Sequence, residues 1–397
     1  MYLYNFLLKN MRIAVIGAKG VPPKQGGIEH YCAEVYPRIV TNGHRVNLYA
    51  QSSYTDMSWF SKYEFQDIQV ISLPSLPIKG FDAFFSSAIG AAHSAMTAYD
   101  IVHFHALGPA LFSWLPRIGS SARVVVTCQG LDWQRAKWGN LASTLIRLGE
   151  RTAVRFAHEI IVVSEDLRFY FWETYRRKTI YIPNAPAGYA KSDGQFIYGT
   201  ELGLIPNRYI LFLGRLVPEK CPDLLIRAFQ LLQPPGWKLV LVGGDSYTYP
   251  FTNQLQQLAT QNPNIIFTGE LRGSRLAEIV RGAGLFVLPS AVEGLPLAML
   301  EAMREGIPVV ASDIPSHQQL VGQERGRLFT AGNLKSCKEN LAWALNHSSN
   351  MTAMAQNAQR YVQRHHSWDQ ITADNLSLYQ RLLGLNPTKP LYAESTR

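Results

Sequence analysis

The sequence predicts an α/β protein of two doubly wound domains facing a central cleft. Three observations carry this. Short β-branched runs alternate with longer amphipathic stretches along the whole chain, the pattern of parallel strands covered by helices on both faces. The alternation occurs twice, on either side of the Pro/Gly/Asn-rich stretch Pro183-Asn-Ala-Pro-Ala-Gly188. The length of 397 residues is also long for one core and comfortable for two.

In the first half the strands are expected at 12–17, 45–50, 69–73, 101–104, 124–128, 160–164 and 179–182, with helices at 27–42 and 139–156. In the second half they are expected at 209–214, 238–243, 265–268, 285–289, 308–312 and 327–330. Helical periodicity there covers 222–232, 275–282, 333–346 and 351–365. This places a Rossmann-like domain at 1–195 and a second Rossmann-like domain at 196–367. The last helical pattern, 368–383, opens a segment 368–397 expected to pack back on the first domain before the tail. The apolar stretch 81–99 approaches the length of a membrane span, but Asp82, His93 and several Ser/Thr interrupt it. A buried or groove-lining helix is expected there.

Composition excludes several classes. Hydrophobic content of 47% with 17% charged residues is that of a globular chain, not a disordered one. The net charge is +9, of which +6 falls in residues 1–200 and +3 in 201–397. An anionic partner on the first half is implied, but no basic run interleaved with aromatics points to nucleic acid. Cys32, Cys128, Cys221 and Cys337 form no CxxC pair, which disfavours a zinc site or disulfide framework and fits a reducing cytoplasm. The start Met1–Leu8 lacks the basic leader and cleavage site of an export signal, and residues 1–10 read as an extension before the first strand.

The segment richest in chemistry is Glu293-Gly-Leu-Pro-Leu-Ala-Met-Leu-Glu301. It follows the strand pattern 285–289 and opens a helix, with Pro296 suited to the first turn. One carboxylate then lies in the loop at a strand end and the second one to two turns into the helix. In open α/β sheets ligands bind at that edge. Two acids there hold sugar hydroxyls, and the free N–H groups of the helix start favour phosphate. Arg215 and Lys220 leave the first strand of the second half and supply fixed cations able to neutralise a diphosphate. Any one Arg or Lys alone would be an ordinary solvated loop charge. In the first half Gly26-Gly27 precede a helix and permit close backbone approach to phosphate. The G-x-G-x-x-G spacing of a dinucleotide site is missing, which argues against a nicotinamide enzyme. His103 and His105 stand two apart on one strand. They would line the cleft or belong to the core, with no nearby acids to make a metal site. Arg147, Arg151 and Arg155 recur every four residues on one helix, either a solvated face or a contact for anionic lipid.

Taken in order, Gly26-Gly27 with Glu29, Gly43-His44, Arg215 with Lys220 and the Glu-x7-Glu pair resemble the GT-B glycosyltransferases of family 4. The stretch Lys19-Gly-Val-Pro-Pro-Lys-Gln-Gly-Gly-Ile-Glu-His-Tyr31 is closer still, as is Gly130-Leu-Asp-Trp-Gln-Arg-Ala-Lys-Trp138. Both resemble the bacterial rhamnosyltransferase-like branch that builds cell-surface polysaccharide. The resemblance implies a GT-B fold and retaining transfer from a nucleotide-diphosphate sugar without a metal or other cofactor. The absence of a D-x-D triplet agrees with that. It also implies roles. Gly26 and Gly27 would contact the donor phosphates, and Arg215 and Lys220 would clamp them. Glu293 would bind the sugar, with the amides of Gly294, Leu295, Pro296 and Leu297 (Pro296 lacking an N–H) lying against sugar and phosphate. Glu301 would hold the ribose, and Glu270 and Leu271 would lie against the base. Gln129 stands where the family usually carries a His, so a titrating group is lost there. Gln129 and Asp132, with His103 and His105, are the residues assigned to sugar or acceptor contact. Expected partners are the donor, a glycan or polyprenyl-diphosphate-linked acceptor and an anionic membrane surface at the inner face of the plasma membrane. The rival readings are a glycoside hydrolase, which leaves Arg215 and Lys220 without a task, and a non-catalytic nucleotide-sugar-binding subunit, which Gln129 favours.

Overall fold

The computed structural model describes residues 10–24, 26–75, 82–134, 139–192, 194–244 and 249–385. The extension expected before the first strand (bar Asn10), Gln25 of the glycine-rich stretch, residues 135–138 and the tail after 385 lie outside the described residues. The chain forms two compact units. One runs to Asn184 and takes in the chain from Trp368 onward; the other is Ala185–Ser367.

The first unit contains β1 (Arg12–Ile16), α1 (Gly27–Thr41), β2 (Arg45–Gln51), α2 (Ser52–Thr55), β3 (Lys62–Phe65), β4 (Ile68–Leu73) and α3 (Asp82–Met96). It continues with β5 (Ile101–His105), α4 (Trp114–Gly119), β6 (Arg123–Cys128), α5 (Asn140–Phe156), β7 (Glu159–Val162), α6 (Glu165–Tyr175) and β8 (Ile180–Tyr181). Its sheet has the order β3-β4-β2-β1-β5-β6-β7-β8. The central strands are apolar on both faces because helices cover both: Ile13 to Val15 and Val124 to Val126 are fully buried. The β3 edge was not legible. It pairs antiparallel to β4 through a two-residue turn, Gln66–Asp67, with φ of 47° and 63°. That is the hairpin geometry usually marked by Asn-Gly, but these two residues lack the glycine that announces it.

The second unit contains α7 (Ile197–Glu201), β9 (Tyr209–Leu213), α8 (Pro222–Leu232), β10 (Lys238–Val242), α9 (Tyr249–Ala259), β11 (Ile265–Gly269) and α10 (Gly273–Arg281). Then come β12 (Leu285–Leu288), α11 (Leu297–Arg304), β13 (Val309–Ser312), α12 (Pro315–Val321), β14 (Arg327–Phe329), α13 (Leu334–Asn346) and α14 (Ser348–His365). Its sheet is parallel throughout, in the order β11-β10-β9-β12-β13-β14. The order reverses between β9 and β12, so the loops that leave these two strands are neighbours. This is the switch point at which open α/β sheets bind ligands.

The last helix, α15 (Trp368–Leu382), belongs to the first unit and packs on α1. Trp368 meets Tyr31 edge-on at 5.9 Å, and Tyr379, fully buried, shares a 2.6 Å hydrogen bond with His103 Nδ1. His103 and His105 lie on one face of β5, as alternation requires, and their rings stack at 4.4 Å. Tyr36 Oη reaches both, at 3.1 and 2.7 Å, while His103 Nε2 meets Thr127 Oγ1 at 2.7 Å. Both imidazoles are 0% exposed. They therefore anchor the C-terminal helix to the sheet, and the groove-lining alternative for this pair is set aside. Among the described residues no helix is long and apolar enough to cross a membrane.

Burial holds both imidazoles neutral. It pushes His105 down to about 3 and His103 well below its usual value, the latter helped by His105. The unfolded chain takes up these protons near pH 6.5 and the folded chain does not, so stability must fall as pH drops below about 6.5. A progressive loss of melting temperature from pH 7 to 5 is expected, with a shallower slope in His105→Gln. A flat profile, or an unchanged slope in that variant, would contradict this packing.

Candidate active site

The site in the second unit is assembled by the loops beyond β9, β10 and β12. Gly214 N–H donates to Val242 O and Leu216 N–H to Gly244 O, each at 3.0 Å, which ties the Arg215 loop sideways to the end of β10. Gly243 makes the approach possible. Its φ is +148°, and a Cβ there would lie 1.9 Å from Gly214 O. Gly214, at φ +157°, leaves room for the Lys220 side chain, whose Cδ would lie 3.1 Å from a Cβ. Arg215 follows directly and is half-buried. A short 3-10 turn, Pro218–Lys220, then presents Lys220 before α8 starts at Pro222.

Lys220 Nζ donates to Glu293 Oε1 at 2.6 Å, and the two side chains are 14% and 13% exposed. Ser290 Oγ donates to the same oxygen at 2.8 Å. Burial raises the Glu293 pKa, but the Lys220 charge and hydrogen bond outweigh it, aided by Ser290, and hold the carboxyl below its usual value. Glu293 is therefore an anion at neutral pH. Among the described residues its two hydrogen bonds both fall on Oε1.

Two residues that sequence reasoning passed over complete this corner. Ser290 lies just beyond β12, and His317 lies on α12 after the neighbouring β13. His317 Nδ1 is 2.9 Å from Ser312 O and 3.1 Å from Ser312 Oγ, and Ser312 Oγ donates to Ser290 O. Burial takes His317 down to about 4, against the pull of Glu293, so it is neutral and donates from Nδ1. Only the adjacency of β12 and β13 links these residues; their spacing in the chain carries no signal.

Helix α11 begins at Leu297, with Pro296 as its cap at φ −79° rather than inside the first turn. Pro296 O accepts from Met299 N–H at 3.0 Å and Leu300 N–H at 3.1 Å, so the segment Gly294–Leu297 forms the approach to the helix start. Glu301 lies in the second turn and does not join the Lys220 pair. Tyr189 Oη donates to its Oε2 at 2.5 Å, and the Ala187 backbone lies near enough to favour the ionised carboxyl. Burial dominates and lifts the Glu301 pKa to about 7, opposed by Tyr189, Arg304 and Ala187. The two acids of one motif are thus shifted in opposite directions from the usual carboxyl value. Glu270 lies beyond β11, exposed and paired with Arg272 at 2.7 Å, with Leu271 partly covered beside it.

In the first unit Gly26 caps α1 at φ +100°, and a Cβ there would lie 2.2 Å from Glu29 Oε2. Glu29 is buried and accepts from the Lys19 N–H at 2.9 Å, folding the glycine-rich loop back on the first turn of α1, which starts at Gly27. Gln129 follows β6, where its Oε1 accepts from Asn184 Nδ2 at 2.6 Å. Asp132 opens a 3-10 turn, Asp132–Gln134. Arg147, Arg151 and Arg155 are exposed on α5, and the Arg147 guanidinium lies 4.2 Å above the Trp133 ring. Behind them Glu150 is buried and accepts from Trp133 Nε1, Tyr170 Oη and Tyr175 Oη at 2.9, 2.8 and 2.5 Å. Among the described residues no cluster of three or more His, Cys, Asp or Glu is arranged to hold a metal ion.

Two α/β units, their sheets parallel but for the β3 edge and one with an acid–lysine pair beside a helix start at its switch point, have the architecture that the sequence led us to expect of a glycosyltransferase. Comparison with known proteins agrees. The family described as "Glycosyl transferases group 1" matches residues 205–361, and "Glycosyl transferase 4-like domain" matches residues 26–185. A GDP-mannose-dependent phosphatidylinositol monomannoside mannosyltransferase of Mycobacterium tuberculosis is 26% identical over 89% of this chain and 94% of its own. Sucrose-phosphate synthase from Thermosynechococcus elongatus superposes with a TM-score of 0.81 at 21% identity, over 94% of this chain and 100% of that one. HepE of Anabaena, solved with UDP-glucose, has a TM-score of 0.75 at 20% identity, with the same coverage. The chain belongs to the GT-B glycosyltransferases of the family-4 type.

Proposed function

We propose that the protein is a retaining, metal-independent hexosyltransferase. It would move a sugar from a nucleotide-diphosphate donor to a hydroxyl of a glycan or lipid-linked acceptor in cell-surface polysaccharide synthesis. The observation that carries this is the largely buried 2.6 Å Lys220–Glu293 pair, in which both hydrogen bonds from described residues fall on one carboxylate oxygen. In this reading Glu293 orients the sugar through Oε2. Lys220 and Arg215 stabilise the diphosphate as the glycosidic C–O bond breaks, and the approach Gly294–Leu297 lies beside it. The acceptor oxygen bonds to the anomeric carbon on the face the diphosphate leaves, and a phosphate oxygen takes its proton. Gly26 and Gly27 approach the donor phosphates, Glu301 the ribose, and Glu270 and Leu271 the base. The solved relative with UDP-glucose supports a nucleotide-sugar site of this kind. The first unit, to Asn184, serves the acceptor and the second, Ala185–Ser367, the donor, a boundary earlier in the chain than the expected 195/196. A thermal-shift screen of UDP, GDP, dTDP and ADP sugars tests the reading. One donor should raise the melting temperature, and Glu293→Ala should abolish the advantage of the sugar over the free diphosphate. No stabilisation by any donor would overturn it.

The exposed Arg147, Arg151 and Arg155 support peripheral binding at the cytoplasmic face of an anionic membrane. Vesicles containing phosphatidylglycerol should retain the protein at low salt and release it above the screening range. The triple charge reversal should remove that binding; salt-independent partitioning would contradict it. The second reading is a nucleotide-sugar-binding subunit without turnover, favoured by Gln129 in place of a titratable histidine. Its mark would be tight donor binding with no transfer across glycan and lipid-linked acceptors.

A further inference from the structure

A strap of chain, 186–192, crosses α10 and α11 and is fixed on both sides of Tyr189. Before it, Arg304 Nη1 donates to Pro186 O at 3.4 Å and to Ala187 O. After it, Arg281 Nη1 donates to Ala190 O and Ser192 Oγ, each at 2.9 Å. Both guanidiniums bind one carboxylate, Glu305, at 2.9 Å each. The Arg304 guanidinium also lies 5.5 Å from the Tyr189 ring centre, so the ring has little freedom of its own. A rigid phenol is thereby aimed at Glu301 Oε2, at 2.5 Å.

We propose that Tyr189 is a positioning residue for donor recognition: its hydroxyl fixes the rotamer of the Glu301 carboxylate and so determines the grip on the ribose hydroxyls. This rests on the reading of Glu301 as the ribose ligand. A glutamate on an open helix face samples several rotamers, and ordering it costs side-chain entropy at the moment of binding. Here that ordering precedes the donor. A carboxylate offers about four lone-pair directions. Tyr189 takes one, which leaves the others for a vicinal diol. Glu301 and Tyr189 are each only partly buried, so those directions remain reachable. The hydroxyl has a second effect. It favours the ionised carboxylate, the form that accepts from both ribose hydroxyls, against the burial that lifts this group to about 7.

The experiment is calorimetry on the full chain. It uses whichever of UDP, GDP and ADP binds most tightly, paired with the analogue lacking its ribose hydroxyls. Wild type should prefer the natural nucleotide, with an affinity that rises through about pH 7. Tyr189→Phe keeps the ring over Arg304 and removes only the hydroxyl. Loss of a hydrogen bond to a charged group predicts about tenfold weaker binding of the natural nucleotide and little change for the analogue. The rise with pH should move upward, and the donor KM should increase more than kcat falls. In Glu301→Gln the same Tyr189→Phe change should have no further effect. If Glu301→Gln abolishes the ribose preference and Tyr189→Phe does not, the positioning role is wrong. A lower melting temperature with unchanged preference would likewise show that Tyr189 only packs. If Glu301→Gln itself keeps the full preference, or no nucleotide binds, the ribose reading fails first.

Discussion

Replacing Lys220 with Ala should reduce sugar transfer by about a thousandfold or more. One part is chemical, since removing a preorganised stabilising group at a developing charge costs about 10²–10³ in rate. The other is local. Glu293 is 13% exposed, and Lys220 is the charge that offsets its burial. Breaking such a pair from one side costs about 3–5 kcal/mol, because a buried charge is left uncompensated. The melting temperature should therefore fall as well. The pH dependence separates the two parts. A carboxyl held below its usual value stabilises the fold above the unfolded pKa, and that contribution is lost as pH falls through the folded value. Lys220→Ala should thus lose most stability above about pH 4.5 and least in acid. Adding Glu293→Gln to Lys220→Ala should restore much of the melting temperature and none of the transfer. Recovery of transfer in the double variant would contradict a role for Lys220 at the diphosphate.

The second large effect is expected at Gly243, which touches no proposed ligand. An alanine Cβ there would lie 1.9 Å from Gly214 O in a backbone conformation that L side chains rarely adopt. Backbone strain of about 1–3 kcal/mol and overpacking of about 1–3 kcal/mol add together, and the clash is with backbone that cannot rotate aside. The loop that must move carries Arg215 and Lys220. Gly243→Ala should lower the melting temperature by several degrees and weaken donor binding by about a hundredfold through a displaced cation pair. Gly139, with no described atom within 4 Å of a Cβ at its position, is the control: Gly139→Ala should leave donor binding unchanged. Wild-type donor affinity in Gly243→Ala would show that the close approach is incidental.

The central strands were legible because burial on both faces writes a continuous apolar run, as in Ile13 to Val15 and Leu239 to Val242. The β3 edge was not, since its pairing depends on a turn without glycine at Gln66–Asp67. Within the site, Glu293, Lys220 and Arg215 could be read from their places beside strand ends. Ser290, His317 and Tyr189 could not. They reach the site through the adjacency of β12 and β13 and through a strap held by Arg281 and Arg304. Such neighbours are created by topology and leave no spacing in the sequence. The opposite pKa shifts of Glu293 and Glu301 have the same origin. Lys220 sits on one and the Tyr189 phenol on the other, and no spacing in the motif reveals either neighbour.

The most direct test of the central claim compares transfer with binding in wild type and Glu293→Ala. The donor is the nucleotide sugar that stabilises the protein best, offered with glycan and polyprenyl-diphosphate-linked acceptors. The account predicts that wild type forms glycosylated product. Glu293→Ala should bind the free nucleotide diphosphate as wild type does yet transfer at least about a hundredfold more slowly. Tight donor binding by wild type with no product from any acceptor, or full transfer by Glu293→Ala, would contradict it.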